Sequence, residues 1–156
     1  MRRTRHKMIG QMLVEKGYIT TAELDEALEV QQDSTQPLGQ ILMDLGHIQK
    51  EPLYETLAEQ MDVEYFDVAE RGVDTQTALL LDRQTAKENQ ALPVGRGEGT
   101  IRVAMADPQD VLAMDDLKMM LQVTIEPLLA DPDDLDEKID EVYQGGAGGT
   151  ASQAQQ

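Results

Sequence analysis

The chain has 156 residues, enough for one domain or two small ones, and its 13 Lys and Arg face 30 Asp and Glu, which gives a net charge of −17. Nucleic-acid binding needs basic surface to displace counterions, so this charge argues against DNA or RNA as a main partner. The absence of Cys excludes disulfides, thiolate metal sites and a thiol nucleophile, and it agrees with a cytoplasmic location.

Residues 1–7 form a basic arm, because this stretch contains three Arg and one Lys but no acidic residue. No apolar segment follows the arm, so we predict no secretion signal. No stretch of the chain approaches the ~18 apolar residues of a membrane span, so direct membrane insertion is not expected. The ordinary interpretation of the arm is a frayed, solubilising terminus; the alternative is a place where an anion meets a favourable local field.

Residues 8–62 contain a tandem repeat whose two copies are offset by 29 residues. The copy IGQMLVEKGYITTAELDEALEVQQ, from Ile9, aligns without a gap with LGQILMDLGHIQKEPLYETLAEQ, from Leu38. The residues of the first copy that recur in the second include Gly10, Gln11, Leu13, Gly17, Ile19, Leu24, Leu28 and Gln31. This agreement in register indicates a duplicated structural unit.

Each copy predicts a short helix, a turn and a longer helix. Gly17 and Gly46 end apolar-periodic stretches, and glycine suits the left-handed position just past a helix. Thr20 and Glu23 have the spacing of a capping box for the second helix, and Pro52 fits the first turn of its counterpart. We expect the two helical hairpins to pack into one four-helix unit.

Residues 63–143 predict a small α/β unit with a mixed sheet. The expected strands are residues 63–68, 91–95, 100–106 and 123–130, with a hairpin turn at RGEG between the second and the third. The expected helices are residues 74–89, 109–121 and 131–143. The order is therefore β-α-β-β-α-β-α. Residues 144–156 are rich in Gly and Gln and predict a flexible tail or linker.

The sequence carries no signature of catalysis. Ser34 and Ser152 have no His and carboxylate arranged around them, and His6 and His47 lack metal-ligand spacing. The acidic run ADPDDLDEKIDE lacks the glycine and the terminal ligand of an EF-hand loop, and no GxxxxGK[ST] phosphate loop occurs. We therefore expect no enzyme, no bound metal and no cofactor.

The repeat offers two similar half-sites to a ligand. Each copy opens on an apolar residue and a glycine, Ile9–Gly10 and Leu38–Gly39, and a glycine at a helix start allows a phosphate to approach free N–H groups. Two leucines and a glutamine follow at a spacing that shares one helix face, where they would cover a flat ring and bond to its edge. They are Leu24, Leu28 and Gln31 in the first copy and Leu53, Leu57 and Gln60 in the second. A ligand with two bases and two phosphates would fit these half-sites. The alternative is that the leucines are ordinary core residues and that the glycines only mark the ends of helices.

The two copies resemble the tandem motif RLGxxLLxxGxIxxxxLxxxLxxQ of the N-terminal domain of type II secretion and type IV pilus assembly ATPases. The later stretch is similar to the α/β half of that domain, especially LPV at residues 92–94 and AMADP at residues 104–108. The resemblance covers about residues 8–143. In one branch of the family this domain binds the second messenger cyclic di-GMP through the tandem motif, so the resemblance implies that ligand.

The positions that match the family's ligand-binding motif are Ile9, Gly10, Leu24, Leu28, Gln31, Leu38, Gly39, Leu53, Leu57 and Gln60. Asp107, in AMADP, matches a position that the family uses against a guanine. The family's leading Arg, which binds the Hoogsteen edge of guanine, is replaced by Met8 and Pro37. Neither side chain donates a hydrogen bond, so we expect binding to be weakened or lost unless Arg5 or Lys7 substitutes.

These observations predict an α+β fold in which a four-helix tandem-repeat unit, residues 8–62, packs with a small mixed α/β unit, residues 63–143. The resemblance implies a non-catalytic regulatory or docking domain with cyclic di-GMP as its ligand. Its implied partners are the secretion or pilus ATPase motor or an inner-membrane platform protein. The alternative is a pure protein-interaction module that docks to a platform protein and has no nucleotide ligand.

Overall fold

The computed structural model describes the backbone of residues 5–144 and the side chains of residues 9–144. The described part divides into two compact units, of which the first ends at Gln60 and the second begins at Met61. Residues 1–4 of the basic arm and residues 145–156 of the expected tail lie outside the described residues.

The first unit contains the four helices of the tandem repeat. They are α1 (Arg5–Glu15), α2 (Thr21–Gln31), α3 (Leu38–Asp44) and α4 (Lys50–Met61). The predicted capping box is confirmed, since the Glu23 N–H donates to Thr20 Oγ1 at 3.1 Å and the Thr20 N–H donates to Glu23 Oε1 at 2.8 Å. The predicted left-handed glycines are confirmed as well, because Gly17 and Gly46 both have φ of 82°.

One aliphatic core draws on both copies of the repeat. Its buried members are Ile9, Leu13, Ile19, Ala27, Leu38, Ile41, Leu42, Ile48 and Leu53. Because residues from all four helices, and from the turn that follows each glycine, share this core, the two hairpins form one packed unit. The sequence prediction of a single four-helix unit is therefore confirmed.

The second unit contains a four-stranded mixed sheet with helices between its strands. In chain order its elements are β1 (Glu64–Tyr65), α5 (Thr75–Ala78), α6 (Arg83–Asn89), β2 (Ala91–Arg96), β3 (Thr100–Met105), α7 (Val111–Leu121), β4 (Thr124–Leu129) and α8 (Pro132–Gln144). The strands lie in the order β1-β4-β3-β2. Strand β4 is parallel to β1 and β3, whereas β2 and β3 form the antiparallel hairpin. The predicted α+β fold class with a mixed sheet is confirmed. The single helix expected over residues 74–89 is wrong, because the chain turns after α5 and Asp82 caps a separate α6 by accepting the Thr85 N–H at 2.7 Å.

The first strand is shorter than the predicted residues 63–68. Phe66 still donates its N–H to the Leu129 carbonyl at 2.8 Å, but the chain then leaves the sheet. The Asp67 carbonyl accepts the Arg71 N–H at 2.8 Å, and its carboxylate accepts the Glu70 N–H at 3.3 Å. Asp side chains favour such turns by bonding to nearby backbone N–H groups, and this turn ends the strand.

Helix α8 closes the core of the second unit through one apolar stripe and one tyrosine. Leu135, Ile139 and Val142 are buried at helical spacing. The Tyr143 hydroxyl contacts the carbonyls of Ala78, at 3.0 Å, and Leu81. Burial raises the pKa of Tyr143 to about 12, and the Asp82 carboxylate adds to the increase. The protonated hydroxyl thus ties α8 to the segment that contains α5 and the turn after it.

Candidate functional site

In both copies the motif glycine lies directly against the first motif leucine. A Cβ atom added to Gly10 would stand 2.8 Å from Cδ1 of Leu24, and one added to Gly39 would stand 3.0 Å from both Cδ atoms of Leu53. Carbon atoms at van der Waals contact are about 3.5–4.0 Å apart, so a side chain at either position would force the leucine to move. The two glycines therefore let the two helices of each hairpin approach closely, α1 to α2 and α3 to α4.

The position of the glycine along its helix differs between the copies. Gly39 lies in the first turn of α3, as predicted, because α3 begins at Leu38 directly after the extended Pro37. Helix α1 begins at Arg5, so Gly10 lies in the helix interior, where its N–H takes part in the helical hydrogen bonds. The prediction that Gly10 stands at a helix start is therefore wrong. Pro37 disfavours a helical conformation in the residue before it, so α3 does not extend further towards the N-terminus. Met8 occupies the equivalent position of the first copy and allows α1 to begin earlier.

The four motif leucines differ in their exposure. Leu53 is 1% exposed and belongs to the core, whereas Leu28 is 40% exposed. Leu24 and Leu57 are half-buried and pack against the same core. In this structure Leu28 offers more surface to a flat ring than Leu53 does, so the two predicted leucine pairs are not equivalent.

Two further motif residues, Leu38 and Gln31, make contacts outside their own copy of the repeat. A Cβ on Gly10 would also meet Cδ2 of Leu38 at 3.5 Å, so the first residue of the second copy packs on the glycine of the first. Gln31 is half-buried, and its Nε2 donates to the Gln36 carbonyl, 3.4 Å away in the segment between the copies. Gln60 is half-buried near the end of α4, and Ile9 is buried in the shared core.

Three polar side-chain contacts that the sequence did not predict also link the hairpins. Lys16, just after α1, lies 2.8 Å from Glu59 of α4, and the hydrogen bond to that carboxylate raises the pKa of Lys16. His47, in the turn between α3 and α4, lies between two glutamates of α2. Its Nε2 is 2.8 Å from Glu26 Oε1, and its Nδ1 is 3.4 Å from Glu23 Oε2. The sequence could not predict these contacts, because the partners are far apart along the chain and meet only when the two hairpins pack.

Asp107 belongs to the second unit, where it shapes the turn between β3 and α7. It is exposed, and its Oδ1 accepts the Gln109 N–H at 3.0 Å, while its carbonyl accepts the Asp110 N–H at 3.1 Å. Asp110 in turn caps α7 by accepting the Ala113 N–H at 3.2 Å. Asp107 is thus held in a defined turn, and its use against a guanine stays a prediction.

Within residues 9–144, no group of three or more His, Asp or Glu side chains is arranged to hold a metal ion. Over the part of the chain that the structure describes, no helix has the length and apolar character required to cross a membrane.

Sequence comparison finds one family and several relatives. The family described as the MshEN domain matches residues 61–149, more than half of the chain. The type IV pilus assembly ATPase PilB of Myxococcus xanthus is 29% identical over 135 residues, which cover 86% of this chain and 24% of that protein. PilB of Thermus thermophilus is 37% identical over 102 residues, which cover 65% of this chain and 11% of that protein. The chain therefore spans a small part of the length of both relatives.

Structure comparison finds a close likeness to MshE, solved with cdg, that is, cyclic di-GMP. The TM-score is 0.72 and the sequence identity 32%, and the match covers 86% of this chain and 98% of the MshE chain. The match thus extends over both units, since neither unit alone contains 86% of the residues.

Proposed function

Because the chain belongs to the MshEN domain family, we propose that it is a cytoplasmic regulatory and docking domain of a type IV pilus or type II secretion assembly ATPase system, without catalytic activity of its own. Both relatives are named type IV pilus assembly ATPase PilB, which supports the assignment to such an ATPase system. Both are much longer than this chain, which leaves room for an ATPase motor outside the matched region. The partners of such a domain are that motor or an inner-membrane platform protein.

The ligand that we propose is cyclic di-GMP, bound at the tandem motif. The observation that carries this proposal is the duplicated glycine–leucine contact, which recurs after 29 residues in a chain similar to MshE with cdg. A two-fold ligand suits a duplicated motif, because each half of the ligand then meets the same residue types at the corresponding motif positions.

The residues present fit the ligand in part. Leu28 is exposed and Gln31 lies on the same helix face, so the first copy has apolar surface for a base and an amide for its edge. Leu53 is enclosed, and neither Met8 nor Pro37 provides the bidentate donor that best recognises guanine. The net charge of −17 also repels a dianion. We therefore expect weak binding.

Isothermal titration calorimetry with cyclic di-GMP tests this proposal on three chains: the native chain, Met8→Arg and the control Gln11→Arg. The control adds the same charge to the same helix at an exposed position outside the motif. A restored bidentate contact contributes roughly 1–3 kcal/mol, so Met8→Arg should bind about one to two decades more tightly than the native chain. Gln11→Arg should remain close to native, because charge alone adds little at physiological salt.

Absence of binding by both the native chain and Met8→Arg would contradict the ligand proposal. An equal gain in Met8→Arg and Gln11→Arg would contradict recognition through the motif, since it would indicate general attraction of an anion.

The absence of catalysis has its own test. The purified chain should not hydrolyse ATP or GTP, because its sequence has no phosphate loop and no arranged nucleophile. Turnover that co-purifies with the chain and falls when a surface carboxylate such as Asp107 is replaced would overturn this part of the proposal.

A second candidate function is docking without any nucleotide ligand. The enclosed Leu53 and the two missing arginines favour it, because each removes one contact that the ligand would need. In that case the affinity of the chain for the motor or the platform protein would be the same with and without cyclic di-GMP.

A further inference from the structure

Helix α7 carries four large apolar side chains that face solvent. Leu112 is 78% exposed and Met119 71%, and they lie seven residues apart, almost two full turns, on the same side of the helix. Val111, 68% exposed, and Met120, 51% exposed, flank them. We call these four residues the α7 apolar face.

The α7 apolar face is not needed to hold α7 on its own unit. The opposite side of the helix already packs on the core through the buried Ala113 and Leu117, with the half-buried Met114 and Leu121 beside them. Helix α8 shows the usual pattern for a surface helix, since its apolar residues are buried and its exposed positions are acidic, for example Asp136 and Glu137. A helix that is apolar on both sides usually has a partner on each.

The charges around the α7 apolar face indicate the chemistry of that partner. Asp115 and Asp116 are exposed and lie between Leu112 and Met119 along the helix, and Asp110 caps its first turn. Lys118 is the one basic residue of α7. A segment that covers this surface would bring apolar side chains to the leucine and the methionines, and it would place cations beside the carboxylates.

The same charges disfavour two other occupants. A second copy of this chain would bring the Asp115 and Asp116 carboxylates against their own equivalents, and each copy has a net charge of −17. A membrane surface rich in anionic lipid would be repelled by the same carboxylates. Methionine side chains are flexible and polarisable, and they are common on surfaces that bind amphipathic helices.

We propose that the α7 apolar face is a docking site for an amphipathic helix of a partner protein, with an apolar stripe flanked by Lys and Arg. The two helices pack side by side, Leu112 and Met119 lie under the apolar stripe, and Asp115 and Asp116 pair with its basic edges. This inference rests on the docking role proposed above, but it does not depend on cyclic di-GMP. The calorimetric titration tests the tandem motif, and the experiment below tests α7.

The probe is a synthetic fluorescent peptide of Leu and Lys, about 18 residues and thus five turns long, with leucines at helical i, i+3, i+4, i+7 spacing. Fluorescence anisotropy measures its affinity for the full chain. Carbon-13 labelling of the methionine methyl groups identifies the surface that it contacts by NMR. We expect binding to shift the methyl signals of Met119 and Met120, and a peptide of the same composition in scrambled order should bind more weakly.

The variant Leu112→Gln/Met119→Gln should weaken peptide binding by about tenfold or more, because it removes the apolar contacts at the centre of the surface. The matched control is Leu79→Gln/Leu80→Gln, which changes two exposed leucines outside α7 and should leave the affinity unchanged. Asp115→Asn/Asp116→Asn should weaken binding about threefold and reduce its sensitivity to salt. All of these side chains are exposed, and circular dichroism will verify that the variants fold.

Several results would overturn the proposal. Equal losses in the α7 variant and the control pair, or methyl shifts that leave Met119 and Met120 unchanged, would place the peptide elsewhere. Self-association of the native chain that disappears in Leu112→Gln/Met119→Gln would make a second copy the occupant. Co-sedimentation with phosphatidylserine vesicles that requires the same two residues would make a lipid surface the occupant.

Discussion

In the first tandem copy the motif glycine, Gly10, lies in the interior of an eleven-residue helix, whereas in the second copy Gly39 lies in the first turn of a seven-residue helix. Both glycines nevertheless meet the first leucine of their own hairpin at 3.0 Å or less from an added Cβ. The contact between the helices is therefore the constant feature of the repeat. The point where the helix begins depends on the residue before the copy, Pro37 in one case and Met8 in the other.

The turns of the two copies share their backbone but not their contacts. Gly17 and Gly46 have the same φ of 82°, and each is followed by a buried isoleucine two residues later. The residue between differs, since Tyr18 is exposed while His47 lies between two glutamates of α2. The two turns thus share their backbone conformation and their buried isoleucine, and they differ in their surface contacts.

The largest expected difference between the copies is in their leucines. Leu53→Ala should lower the free energy of unfolding by about 3 kcal/mol, because Leu53 is 1% exposed and its removal leaves a cavity in the shared core. Leu24→Ala should cost at most about half as much, since Leu24 is half-buried and water can fill the space. Urea denaturation followed by circular dichroism measures both values. Equal losses would mean that the two leucines are equally buried in solution.

Of the two glycine-to-alanine substitutions, we expect the one at Gly39 to lower stability more, although the distance from an added Cβ to leucine is shorter at Gly10. Gly39→Ala should destabilise the chain by roughly 1–2 kcal/mol, because the buried Leu53 cannot move away from the new methyl group. Gly10→Ala should be close to neutral, even though its contact with Leu24 is shorter. Leu24 is partly exposed and can rotate, and alanine in a helix interior gains up to about 1 kcal/mol over glycine.

The same denaturation experiment decides the comparison of the glycines. A larger loss for Gly10→Ala than for Gly39→Ala would show that the half-buried leucine is as rigid as the enclosed one.

The local features of this fold could be predicted from the sequence. The capping box of Thr20 and Glu23 and the left-handed Gly17 and Gly46 depend on neighbouring residues alone, and all of them occur as predicted. The start of α1 at Arg5 could not be predicted from the repeat, because residues 5–8 precede the repeated segment. These residues also include no glycine or proline that would mark a helix boundary.

The exposure of individual side chains depends on tertiary packing, and periodicity does not determine it. Leu28 and Leu57 are equivalent in the repeat, yet Leu28 is 40% exposed and Leu57 is half-buried against the core. Leu24 and Leu53 are likewise equivalent in the repeat and differ in burial. The sequence could therefore name the motif residues, but it could not rank their accessibility to a ligand.

The capping box provides a smaller difference between the copies. Thr20→Ala should cost about 1 kcal/mol, because it removes the oxygen that accepts the Glu23 N–H. Gln49→Ala, at the corresponding position of the second copy, should change stability little, since glutamine is not among the residues that favour this position. Thr20→Ser should retain most of the native stability. An equal loss in Thr20→Ser would indicate that the threonine methyl group, and not the hydroxyl, stabilises the turn.

The smallest expected effect comes from His47, and it tests whether the second turn is tied to the first copy. His47→Tyr gives the second copy the residue of the first and removes the contacts to Glu26, at 2.8 Å, and Glu23, at 3.4 Å. Contacts between partly exposed polar side chains contribute about 0–1 kcal/mol, so the loss should be a few tenths of a kcal/mol. The loss should shrink in about 1 M NaCl, where charges are screened within ~3 Å. The control is Glu26→Gln, which keeps a hydrogen-bond acceptor for the imidazole and should lose part of the salt-dependent effect, since the Glu23 carboxylate stays 3.4 Å from Nδ1. A loss in His47→Tyr that is independent of salt would mean that the imidazole acts by packing, and the two turns would then differ in shape and not in charge.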